Sequence, residues 1–319
     1  MTCKEELLII CRQKGSDNMG KRYSVFAITE DGKTHYCKSK QYGGIGGLTL
    51  RFSKNEIARG ERVPFFERLN NAIEIDKSEY QEYLDHPEDA DLLVSLVEVN
   101  VDENVIRFDE DMQSERIYRE YPLSLLVAEG KHQIRASSQS GYDMVDKDNM
   151  YRHMDMLIGK EPWQKRHRYS LNFNRFAAIR VTENGLDEYF MTQVYYNFTL
   201  AAGRYREYCG LNNGMPMSGL FADKDTLSET GYSFLCDNFS KNPYLRNMIE
   251  FNVDEQVARL LKKGEEGWKE YSLQEVVKTV GRMHRKDLTN TAVSLLENLL
   301  SEKSPLEESV EQEMHIPTM

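Results

Sequence analysis

LLVSLVEVNVDENVIRF, residues 92–108, is the stretch on which the fold turns. Leu92 to Val101 is long and rich in β-branched residues, Asp102-Glu103-Asn104 has turn chemistry, and Val105 to Phe108 returns. Such runs, bounded by Asp and Asn, read as paired strands. Toward the N-terminus, Tyr23 to Thr29 (YSVFAIT) alternates apolar and polar residues, and Thr34 to Ser39 comes back after Glu30-Asp31-Gly32-Lys33. Asp-Gly between two such runs is a hairpin signal. Leu48 to Phe52 alternates strictly and reads as another strand. Phe65 to Ile73 and Ser78 to Leu84 have helical spacing, while Leu123 to Ala128 is a short apolar run suited to a buried strand.

Residues 136–150, ASSQSGYDMVDKDNM, cluster Ser, Gly, Asp and Asn and lose the apolar period, so they read as a loop and a domain boundary. Beyond them the pattern turns helical, apart from a strand-like interruption at Phe176 to Thr182. Asp187 to Cys209 places Phe190, Val194, Phe198, Ala201, Ala202, Tyr205 and Cys209 on one helical face, and Gly210 stands where a helix would stop. Thr226-x-x-Glu229 and Ser272-x-x-Glu275 match capping boxes. Val253 to Leu261 and Leu288 to Leu300 read as further helices. The expectation is an α+β protein: a β-rich N-terminal domain (1–150) with hairpins and short helices, a mainly helical domain (151–303), and an acidic flexible tail (304–319). No internal repeat is read from the chain.

The 319 residues are 40% hydrophobic, which is enough for a sizeable core. No apolar run reaches the roughly 18 residues that a spanning helix needs. The opening MTCKEELLII has acids ahead of a short apolar run and lacks the basic region and cleavage site of a signal peptide. Five cysteines at irregular spacing, without Cys-x-x-Cys, read as free thiols. A cytoplasmic chain with no membrane association is the expectation. The net charge of −11 is local in origin: residues 74–121 hold sixteen acids against Lys77, Arg107, Arg116 and Arg119. Such asymmetry points to interaction surfaces.

Walker, zincin and nucleophile-elbow patterns are missing from the sequence, which removes the motif-bearing forms of those enzyme classes. Gly43-Gly44-Ile45-Gly46-Gly47, near Lys38, Lys40, Arg51 and Lys54, fits a wide turn between strands and also fits a phosphate-contacting loop. Lys160 to Arg180 (KEPWQKRHRYSLNFNRFAAIR) interleaves Lys160, Lys165, Arg166, Arg168, Arg175 and Arg180 with Trp163, Tyr169, Phe173 and Phe176, against the single acid Glu161. Cations neutralise backbone phosphates while rings stack on unpaired bases, so Lys160, Trp163, Lys165, Arg166, Arg168, Tyr169 and Arg175 are the candidate nucleic-acid contacts.

A further constellation is catalytic in type. Val105-Ile106-Arg107-Phe108 runs into Asp109, and Leu125-Leu126-Val127-Ala128 runs into Glu129-Gly130-Lys131. An acid at one strand end, then an apolar strand ending in E-x-K, resembles the core of the restriction-endonuclease-like nucleases. That resemblance implies Asp109 and Glu129 as ligands of Mg or Mn and Lys131 beside the attacking water, with Glu98 available as an added ligand. In an extended strand Glu129 and Lys131 would share a face. Phe108 stands where the family's usual proline precedes the first acid.

The leading expectation is a non-catalytic binding or assembly protein. It would contact nucleic acid through its basic-aromatic elements, and a protein partner or a second copy through its acidic segment. The alternatives are a metal-dependent nuclease using Asp109, Glu129 and Lys131, and a protein-interaction scaffold without nucleic acid.

Overall fold

The computed structural model describes residues 23–39, 48–49, 51–53, 63–69, 72–86, 93–109, 118–138, 147–160, 175–211 and 214–282. The chain divides into two units, Met1–Met154 and Asp155–Met319. Among the described residues no helix is long and apolar enough to cross a membrane.

The first unit begins with the hairpin β1 (Tyr23–Glu30) and β2 (Lys33–Ser39). Asp31 and Gly32 both sit in the left-handed region, at φ 51° and 70°, which suits the right-handed twist of a two-residue hairpin. There follow α1 (Phe65–Arg68), β3 (Ile73–Glu74), α2 (Lys77–Asp85), β4 (Leu93–Asn100), β5 (Val105–Asp109), β6 (Arg119–Pro122), α3 (Leu123–Ser138) and the start of α4 (Lys147–Ile158), whose last residues belong to the second unit. The strands form a six-stranded sheet in the order β3-β2-β1-β4-β5-β6. The central pair β1 and β4 is parallel, and the other pairs are antiparallel.

The second unit contains β7 (Phe176–Glu183), β8 (Leu186–Thr192), α5 (Phe198–Gly210), a 3-10 turn (Met217–Leu220), β9 (Lys224–Leu227), α6 (Glu229–Asp237), β10 (Leu245–Asn252), β11 (Val257–Lys262), β12 (Lys269–Ser272) and α7 (Leu273–Arg282). Its six strands run β9-β8-β7-β10-β11-β12, again with only the central pair, β7 and β10, parallel.

This corrects the expected fold class: the second half is not a mainly helical domain but a second mixed sheet with helices. Residues 187–192, expected as the start of a helix, lie in β8. The preceding Asn184-Gly185, at φ 54° and 71°, closes a hairpin with β7 and fixes the strand. Residues 253–261, also expected as helix, hold a turn and most of β11, with Gln256 left-handed at φ 60°. The errors run both ways. Leu123 to Ala128, expected as a strand, opens helix α3, and residues 48, 49 and 51–53 are helical.

The chain also carries an internal repeat that was not expected. The two sheets have the same strand order, and the surrounding details match one by one. Asp102 accepts hydrogen bonds from the backbone N–H groups of Asp31 and Gly32, each at 2.9 Å, and Asp254 does the same for Asn184 and Gly185 at 2.8 Å. Glu30 accepts from the Phe65 N–H at the start of α1, and Glu183 accepts from the Met217 N–H at the start of the 3-10 turn, each at 2.8 Å. Pro64 and Pro216 stand just ahead of those two segments. Asp76 and Ser228 cap α2 and α6 through the N–H three residues on. In sequence, EVNVDENVIR (98–107) and EFNVDEQVAR (250–259) agree at seven of ten positions, and TEDG (29–32) answers TENG (182–185).

In the second unit one sheet face carries Ala177, Ile179, Val181, Phe190, Ile249, Phe251, Ala258 and Leu260 against α5 and α7. On the opposite face Ala178, Met191 and Met248 are buried, as are Tyr232 and Leu235 of α6. Much of the rest of that face is polar. The first unit follows the same plan, with Tyr80 of α2 packed with Val25 and Leu96.

Candidate functional site

Strand alternation sends every second residue to one face. In the second unit the polar row on the α6 side is Tyr189, Arg180, Glu250, Arg259 and Glu270, neighbours in register across β8, β7, β10, β11 and β12. The first unit repeats the row as Tyr36, Ala27, Glu98, Arg107 and Glu120.

The row is ionic. Arg180 Nη2 donates to Asp187 Oδ2 at 2.8 Å, and its Nη1 lies 3.7 Å from Glu250. Arg259 Nε donates to Glu270 at 2.7 Å, and its Nη1 lies 3.8 Å from the other oxygen of Glu250. The Tyr232 hydroxyl donates to Glu250 at 3.2 Å and that of Tyr189 to Asp187 at 3.1 Å. Burial opposes ionisation of the Asp187 carboxyl, yet hydrogen bonds from Arg180 and Thr182 outweigh it and hold the carboxyl below its ordinary range. The bond to Asp187 raises the Arg180 guanidinium pKa, although burial works against it. Burial and the Asp187 charge push the Tyr189 phenol up to about 12. A cleft of about 270 Å³ opens over this row, lined by Arg180, Thr182, Glu250, Asn252, Glu255, Val257 and Arg259. With both signs of charge held in fixed geometry, it is suited to recognising a charged or strongly polar group.

In the first unit Arg107 Nε donates to Glu120 at 2.6 Å. Tyr36 and Tyr80 stand 4.9 Å apart at 37°, as Tyr189 and Tyr232 stand 5.1 Å apart at 41°. Burial, then the charge of Glu98, raises the Tyr80 phenol, as burial and Glu250 raise that of Tyr232.

The nuclease-type residues fall elsewhere. Asp109 closes β5 and is buried. Glu129 and Lys131 lie on helix α3, where residues two apart point to nearly opposite sides, so the shared face that an extended strand would give them is not formed. Glu129 is fully buried, and its Oε2 lies 2.8 Å from His153 Nε2 on α4. Gly130 between them lets the helical residues Thr49 and Ser53 approach α3: a Cβ there would overlap Ser53 Oγ and Thr49 Cγ2. Packing thus accounts for Gly130 and for the burial of Glu129. Among the described residues no three His, Cys, Asp or Glu side chains gather as metal ligands.

Of the candidate nucleic-acid contacts, Lys160 and Arg175 are described, Arg175 being exposed directly before β7. Trp163, Lys165, Arg166, Arg168 and Tyr169 lie outside the described residues, as do the glycine cluster 43–47, the helix expected at 288–300 and the tail 304–319. Phe176 is fully buried in the sheet and Arg180 belongs to the ionic row, so neither is placed to meet a base or a phosphate freely. Among the cations near the glycine cluster, Lys38 pairs with Glu79 at 2.8 Å and Arg51 donates to the carbonyl of Arg68. The described acids of 74–121 have separate tasks. Asp76 caps a helix, Asp102 holds a turn, Asp109 is buried, and Glu98, Glu103 and Glu120 surround Arg107.

Sequence reasoning missed the row of Tyr189, Arg180, Glu250, Arg259 and Glu270. The signal was present as the string E-x-N-V-D-E-x-V-x-R, which occurs in both units. Set beside family models, curated proteins and solved structures, the chain matches none, so the residues its two units share carry the reading of this site.

Proposed function

We propose that the chain is a non-catalytic binding or assembly protein made of two copies of one module, in which an ionic row on each sheet is a recognition surface. The observation that carries this reading is the retention of Tyr, Glu, Arg and Glu at matching positions of both sheets, on the face away from the main core. Turn, cap and core residues are also shared, but each of those has a structural task. The row has partial solvent access and lines a cleft in the second unit.

The cation-aromatic run Lys160, Trp163, Lys165, Arg166, Arg168, Tyr169 and Arg175 directly precedes in sequence the strand β7, which begins at Phe176. In this reading it contacts nucleic acid, and the acid-rich first unit faces a protein partner. Fluorescence anisotropy of labelled single- and double-stranded DNA and RNA, titrated with the full chain at several salt concentrations, tests the first half. The account expects affinity that falls steeply with salt. It also expects the slope of log K against log salt to shrink by roughly 1.4–1.8 when Arg166 and Arg168 both become Ala. Affinity unmoved by that double change excludes the run as the contact.

A further inference from the structure

Arg180 has no counterpart in the first unit, although two of the three groups it touches, Tyr189 and Glu250, do. In the second unit it faces Tyr189 on β8 and Glu250 on β10. Its guanidinium carbon stands 5.9 Å from the centre of the Tyr189 ring, and its nitrogens reach Glu250 at 3.7 Å and Asp187 at 2.8 Å. The matching position is Ala27, which faces Tyr36 and Glu98 in the same two registers. Asp187 is matched by Thr34, whose hydroxyl lies 2.9 Å from that of Thr29, as Asp187 accepts from Thr182 at 2.5 Å. The ring pair of Tyr36 and Tyr80, the Glu98 carboxylate and the flanking Arg107 are all kept. Ala27, Tyr36 and Glu98 are each partly exposed.

The first unit therefore keeps the ring and one of the two carboxylates that flank the guanidinium in the second, and among the described residues no arginine stands at the matching position, Ala27. Tyrosine faces attract cations, and the planar guanidinium of arginine can stack on a ring while donating to a carboxylate. The charge at the site agrees in sign, because Glu98 stands beside Ala27 as Glu250 stands beside Arg180.

We propose that the partly exposed surface at Ala27, Tyr36 and Glu98 receives an arginine side chain from a partner protein, in the place that Arg180 occupies within the second unit. This rests on the reading that the first unit faces a protein partner, and it names the chemistry of that contact.

The test is a titration of the full chain with N-acetyl-arginine amide, followed by amide chemical shifts. N-acetyl-citrulline amide, a neutral isostere, serves as the control. Saturable shifts around Ala27, Tyr36 and Glu98 with arginine and none with citrulline are expected. Rebuilding the second unit's pair, Ala27→Arg with Thr34→Asp, should weaken this binding at least about tenfold. Arg180→Ala, which opens the equivalent place beside Tyr189, should add a second saturable set of shifts around residues 180, 189 and 250. That gain does not depend on the double variant folding. No saturable shift in the wild type, equal response to citrulline, or no new set in Arg180→Ala overturns the proposal. Labelled DNA titrated into the same samples separates the two levels. Intact DNA binding beside a blank arginine titration removes this inference alone and leaves the nucleic-acid contact standing.

Discussion

Gly130 and Gly203 allow one chemical change to be tried in two helices with opposite expected signs. Both glycines lie inside helices, α3 and α5 respectively. Replacing a helical glycine by alanine restricts the unfolded chain and is worth about 0.5–1 kcal/mol where there is room. At Gly203 a Cβ meets nothing within 4 Å, so Gly203→Ala should stabilise by about that amount. At Gly130 the same Cβ would overlap Ser53 Oγ and Thr49 Cγ2, both on the helical stretch that crosses α3. Ser53 donates to the carbonyl of Val127 at 3.1 Å, so it cannot step aside without giving up a buried hydrogen bond. Overpacking of this kind costs about 1–3 kcal/mol and the lost hydrogen bond about 1 kcal/mol. Set against the gain from alanine, Gly130→Ala should destabilise the first unit by about 1–3 kcal/mol. Urea unfolding followed by circular dichroism, with each variant compared to the wild type, reads both signs. A neutral or stabilising Gly130→Ala would refute the helix crossing at that residue. It would also return the E-G-K string to the functional candidates.

Other consequences are equally concrete. Asp102→Ala and Asp254→Ala each strip two charge-assisted hydrogen bonds from an exposed hairpin turn, so each should cost about 1–2 kcal/mol by denaturant unfolding. A large difference between the two would argue against equivalent turns. His153→Ala leaves the fully buried Glu129 without its imidazole partner and should cost about 3–5 kcal/mol by the same measurement. A loss under 1 kcal/mol would show that the pair is not buried as described. Burial holds the Cys37 thiol up at about 12 and that of Cys236 at about 11, so both stay protonated at pH 8. Mass-spectrometric mapping after brief treatment with a thiol reagent at that pH should find exposed Cys209 modified, with Cys37 and Cys236 spared. Reaction at Cys37 as fast as at Cys209 would contradict the burial.

The first hairpin, α2 and the β4–β5 pair were legible because turn chemistry and period agreed over their whole length. The second unit was misread where the period misled. Phe190, Val194, Phe198, Ala201, Ala202 and Tyr205 do fall on one helical face, but Phe190 lies on β8 and Phe198 opens α5. Asn184-Gly185, a hairpin signal as strong as Asp31-Gly32, outranked that period and was passed over. Leu123 to Ala128 illustrates another limit, since a short apolar run does not separate a buried strand from a buried helix. Asp109, Glu129 and Lys131 were chosen for residue type and spacing on the assumption of an extended chain, and helix α3 removes that assumption. The ionic row was hidden for a different reason: no single strand shows it, because its members come from five strands and only pairing brings them together.

That both halves of the chain are built on one module is most directly tested by cross-strand nuclear Overhauser effects in the full-length protein. The account predicts parallel contacts between the strands holding Ala27 and Glu98 and, identically placed, between those holding Arg180 and Glu250. It also predicts antiparallel contacts across Arg180 and Tyr189. Sequential helical contacts running through residues 187–192, or antiparallel pairing between β7 and β10, would contradict it.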